Sequence, residues 1–173
     1  TFDLKLNGKG LALDDLDLNF EGSLQNSTIN TYTYDQAFVK GTFQHKTLDM
    51  QGTVEDQNLQ LTYNSSIDWA AKGVNYVLDA AVAYAAPNKL GWLDKDSVVI
   101  HQANINTNLI GNNLNNLVGQ LHADSVRFST SKGLFFIEDV NFTAEGDDQN
   151  RVLSLQSDVL DAHVAGVIDL NTI

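Results

Sequence analysis

The sequence predicts an all-β protein, a long antiparallel meander, and three observations carry that expectation. Apolar and polar residues alternate with period 2 through most of the chain. Turn formers outweigh helix formers, with 18 Asp against 4 Glu, and 18 Asn. Short clusters of Gly, Asn and Asp separate the alternating runs at hairpin spacing.

The elements follow in order. Phe2, Leu4 and Leu6 alternate with Asp3 and Lys5, and Gly8-Lys9-Gly10 predicts a turn. Leu11 and Leu13 are out of phase with Leu16, Leu18 and Phe20, so a β-bulge or tight turn is expected near Asp14-Asp15. Leu48, Met50 and Val54 skip only Gly52, and Asp56-Gln57-Asn58 leads into Leu59, Leu61 and Tyr63. After Gly73, the run Val74, Tyr76, Leu78, Ala80, Val82, Tyr84 predicts a strand over 74–85, ~40 Å long. A second slip falls at His101-Gln102. Ser131-Lys132-Gly133 and Gly146 to Asn150 read as turns. Val140, Phe142 and Ala144 precede a last run of Leu160, Ala162, Val164, Ile168 and Leu170. About ten strands result. Two segments break the rule. Leu114, Leu117, Val118 and Leu121 have helical spacing, with Asn112 or Asn113 as a cap, predicting about two helical turns. Asn88 to Lys95, after the single Pro87, predicts a helical turn or loop.

Length and charge narrow the function classes. At 173 residues and 43% hydrophobic, the chain suffices for one domain with a core and is not disordered. No apolar run reaches the ~18–20 residues of a membrane helix. The absence of Cys excludes disulfides, thiolate zinc sites and Cys nucleophiles. A net charge of −12 makes nucleic acid a poor partner. The chain opens at Thr1 inside a strand pattern, so residues 1–173 are expected to be one segment cut from a longer protein.

Catalytic constellations do not emerge. His45, His101, His122 and His163 lack metal-ligand spacing, and neither a nucleophile elbow nor a phosphate loop is present. Asp14-Asp15-Asp17 and Glu145-Asp147-Asp148 offer hard oxygen ligands but no EF-hand spacing, so exposed acidic turns are the better reading. Trp69, Trp92, Tyr32 and Tyr34 have the chemistry to stack on sugars, but their positions in apolar runs favour packing. The chain is not expected to be an enzyme, and no cofactor or metal is expected.

The apolar face is left to explain. A sheet with one apolar face must cover it. Folding back into a closed β-sandwich is one solution. Curling into an open groove filled by acyl chains is the other, each CH2 gaining about 0.8 kcal/mol on leaving water. Alternation alone leaves both open. A soft internal repeat of roughly 100 residues relates Thr47–Trp69 to Val152–Leu170.

Several stretches resemble one family in their order and spacing. They are Gly8-Lys9-Gly10-Leu11-Ala12-Leu13, Tyr32-Thr33-Tyr34, Val39-Lys40-Gly41-Thr42-Phe43, Leu48 to Val54, Asp56 to Leu61, Ile67-Asp68, and Gly111 to Gly119. Together they resemble the AsmA-like superfamily, most closely the Bacteroidetes form of the TamB (translocation and assembly module) family. Asp56-Gln57-Asn58 departs from the Asp-Pro-Asn turn expected in relatives. The resemblance implies an inner-membrane-anchored protein that extends through the periplasm, with a β-groove passing phospholipid between inner and outer membranes. It also implies an outer-membrane β-barrel partner for some members, and it carries no catalytic residues. On this reading the alternation assigns the groove lining to Leu59, Leu61, Tyr63, Val74, Tyr76, Leu78, Val82, Tyr84, Ile105, Leu109, Phe142, Val164 and Ile168. The competing expectation is a scaffold or chaperone that binds outer-membrane proteins by strand augmentation.

Overall fold

The computed structural model describes residues 1–10, 12, 14–29, 31–69, 73–93, 98–147 and 149–167. Eleven strands are present: β1 (Phe2–Lys9), β2 (Asp17–Ile29), β3 (Tyr32–Gln44), β4 (Thr47–Asp56), β5 (Leu59–Asp68), β6 (Val74–Ala85), β7 (Val99–Gly111), β8 (Val118–Thr130), β9 (Gly133–Glu145), β10 (Arg151–Ser157) and β11 (Asp161–Gly166). They form one sheet in sequence order, every neighbouring pair antiparallel. Among the described residues, substantial packing joins only strands adjacent in the chain. The sheet therefore neither closes nor folds over itself, and the sandwich alternative is excluded.

The long β6 coincides with the run read from its alternation. At ~4.8 Å between strands, the stack is about 50 Å long. The buried strand residues identify the concave side. Phe43, Asp56, Leu59, Ala103, Ala144 and Arg151 all lie on one face by register, while the other face stays open to water. A flat single layer would expose both faces alike, so burial on one side reflects curling toward it.

Ring-over-glycine pairs bring strands close on this face. A Cβ on Gly41 would meet the Phe20 ring at 2.7 Å, and one on Gly52 the Tyr63 ring at 2.7 Å and Phe38 O at 2.6 Å. Such pairs fill the space over a glycine with a neighbouring aromatic ring.

Three features differ from the sequence reading. The helix expected from Leu114 to Leu121 is a single 3-10 turn, Leu114–Asn116, capped by Asn113. Leu117 is already extended, and Val118 to Leu121 pair with β7. The spacing that read as helical is shared between a turn and a strand. The tight turn expected near Asp14-Asp15 is where the first hairpin reverses, with Asp15 N donating to Ala12 O (3.0 Å), whereas Gly8 and Lys9, read as a turn, still pair with β2. Leu11 and Leu13 lie outside the described residues. The eleven strands agree with the roughly ten expected, but the two-residue turn at His45 and Lys46, with φ of 51° and 63°, has no counterpart in the sequence reading. The helical turn or loop read after Pro87 is present as a turn over Asn88 to Gly91, whose Leu90 N donates to Ala86 O (3.2 Å).

Candidate functional site

Register assigns each side chain to a face, because directly paired residues of antiparallel strands point the same way. One row across the sheet reads Leu4, Gly22, Val39, Gly52, Tyr63, Ala80, Ile105, Ala123 and Val140. The adjacent row reads Met50, Ser65, Leu78, Thr107, Leu121, Phe142 and Leu155. The result is a continuous apolar face interrupted by small polar groups. Tyr63 reports its polarity, since desolvation by burial raises the pKa of its hydroxyl.

Leu61, Tyr63, Tyr76, Leu78, Val82, Ile105, Leu109 and Phe142 lie together on this face, as the alternation implies. Val74 pairs Gly111 at the far edge of the same face. Val164 joins through Leu153 on the exposed terminal strand β11. Ile168 lies outside the described residues.

Two assignments need correction. Tyr84 leaves the face. Val82 pairs Leu61 but Tyr84 pairs Gln60, so Ala83 is an extra residue, a bulge that turns Tyr84 to the polar side against His101. Leu59 keeps the face but is sealed at 5% exposure. The turn after Pro87 lays Leu90 on Leu59 and Ala85, with Tyr32, Tyr34, Val54 and Ile100 packed around them. Tyr32 and Tyr34 thus pack, and no sugar platform forms from them.

The bulge has counterparts. The β7–β8 register shifts around Gln102, the slip expected at His101-Gln102, and Ser125 opposite it has φ of 54°. Phe128, paired with Ile100, stacks on Phe135 of β9 at 5.3 Å. These shifts keep Ala85, Ile100 and Phe128 in one paired row.

Residues missing from the sequence assignment include Val39, Phe43, Leu121, Leu153 and Leu155. Phe38 on the opposite face hides the period of β3. The helical reading hid Leu121.

The convex face is polar and acidic. Lys5 pairs Glu21 (3.5 Å), Asn104 donates to Asp124 (2.8 Å), Asn106 donates to Asp79, and His122 meets Asp139 (3.3 Å). Hydrogen bonds from Asn104 and Ser125 hold the Asp124 carboxyl below its usual pKa. Among the described residues, no group of three or more His, Asp or Glu is placed to hold a metal ion, and no helix is long and apolar enough to cross a membrane.

Two buried charges pin opposite edges of the sheet. Asp56 accepts from Tyr32 OH (2.5 Å), Asp35 N (2.9 Å) and Asn58 N (2.7 Å). Across the sheet, the Arg151 guanidinium donates to Asn115 O and Leu117 O, clamping the 3-10 turn.

Compared with known proteins, the chain matches no family model, no curated protein and no solved structure.

Proposed function

We propose that this chain is a segment of a periplasm-spanning, bridge-like lipid-transfer protein. It carries phospholipid acyl chains along its apolar face between inner and outer membranes, and an inner-membrane anchor lies elsewhere in the parent protein. The observation that carries this reading is the uncovered apolar face of one open sheet, about 50 Å along the stack. Its central stretch, around Tyr63, Leu78, Ile105 and Leu121, is only half-buried, and among the described residues no second layer packs over it. An acyl chain is indifferent to side-chain detail and needs only apolar contact, which such a face supplies without a polar site. The acidic convex face keeps the sheet in water.

The protein purified from bacterial envelopes is expected to carry phospholipid, measured by extraction and mass spectrometry. Replacing Leu78 and Ile105 by Asp is expected to cut the bound lipid several-fold. Lipid-free protein from the same preparation would contradict the reading.

A second reading rests on the sheet ends. All eight residues of β1 and all six of β11 are exposed, and among the described residues no further strand pairs with either, an arrangement that suits strand augmentation of a β-barrel client. A co-purifying outer-membrane protein in place of lipid would favour it.

A further inference from the structure

The tip of the β8–β9 hairpin combines cationic and exposed apolar side chains. Between Asp124 and Glu138 there is no acidic residue, although the chain has 22. The same stretch holds Arg127, Lys132 and three of the eight Phe, at 128, 135 and 136. The tip turns at Ser131-Lys132. Leu134 is 72% and Phe136 51% exposed. Phe135 stacks on Phe128 (5.3 Å), and the Arg127 guanidinium lies 5.5 Å from the Phe136 ring centre. Exposed apolar residues scattered singly are ordinary, but a contiguous apolar tip on a charged chain marks a contact surface.

We propose that this hairpin tip docks on an anionic bilayer surface. Leu134, Phe135 and Phe136 enter the interface while Arg127 and Lys132 meet lipid phosphates. Aromatic rings with a polar or cationic neighbour are the side chains that settle at head-group depth. The charge match selects the partner, because residues 125–137 carry Arg127 and Lys132 and no acid in a chain with net charge −12. Trp92 and Leu93, in the β6–β7 connection on the same edge of the sheet, are also exposed. The proposal goes beyond the groove reading and does not require it, since docking needs no acyl chain in the groove.

The test is flotation with vesicles of phosphatidylethanolamine and phosphatidylglycerol, compared with phosphatidylcholine alone. Wild type is expected to float with the anionic vesicles, and Leu134→Ser/Phe136→Ser to lose at least tenfold of the bound fraction with an unchanged circular dichroism spectrum. Lys132→Glu is expected to weaken anionic-vesicle binding several-fold and leave the small phosphatidylcholine binding unaltered. Wild type that does not float, or a double variant that floats equally, overturns the proposal. A soluble dimer dispersed by the double variant without flotation also overturns it, assigning the tip to a protein contact. Lipid content of the purified protein tests the groove separately, so either idea can fail alone.

Discussion

Replacing Asp56 by Ala is expected to destabilise the sheet by about 3–5 kcal/mol, measured by urea denaturation. Asp56 is 3% exposed at the β4–β5 turn, and its carboxylate accepts from Tyr32 OH, Asp35 N and Asn58 N. Removing it leaves four donors, from Tyr32, Asp35, Asn58 and Leu59, around the only buried apolar cluster of the described residues without their acceptor. Asp56→Asn keeps one oxygen and is expected to cost less, about 1–2 kcal/mol. The pH dependence has a definite sign. Burial alone pushes the Asp56 pKa up, but hydrogen bonds from Tyr32, Asn58, Asp35 and Leu59 outweigh it and hold the pKa below its ordinary value. The stability from Asp56 is therefore complete above the unfolded value of about 3.9 and is lost as pH falls through the lower folded value. The gap between wild type and Asp56→Asn should close on acidification below about pH 4.

Arg151→Ala is expected to cost about 3–4 kcal/mol, and Arg151→Met to stay within about 1.5 kcal/mol of wild type. Arg151 is 1% exposed. Its partners among the described residues include the carbonyls of Asn115 and Leu117, and its Nε has no hydrogen-bond partner. Alanine leaves a cavity and two carbonyls without their donor. Methionine fills the volume and removes a buried charge whose desolvation is costly. If Met is as damaging as Ala in denaturant titrations, the clamp depends on its hydrogen bonds and not on packing.

The strand period was legible because Leu59 to Tyr63 and Val74 to Val82 each keep one face in a half-covered layer. Turns were legible only where side chains announce them. Asp56-Gln57-Asn58 does so, while His45-Lys46 adopts the left-handed turn without Gly or Asn. Tyr84 was misassigned because a bulge is a property of two strands together. Its alternation within β6 looks regular, and only the pairing with Gln60 reveals the flip. The sealing of Leu59 was equally hidden, since nothing near Leu59 in sequence marks Leu90 as its neighbour. Nor does alternation separate an open face from a sandwich, because it specifies which side is apolar and not what covers it.

On the lipid-transfer proposal, one face of this open sheet holds lipid and the other faces water. A photo-crosslinking amino acid placed in turn at Tyr63, Leu78, Ile105 and Phe142, and at the opposite-facing Asn64, Asp79, Asn106 and Asn141, tests it in cells. Phospholipid adducts at the first four positions and none at the second four are the expected result. Equal labelling of both sets, or protein adducts without lipid at the first four, would contradict it.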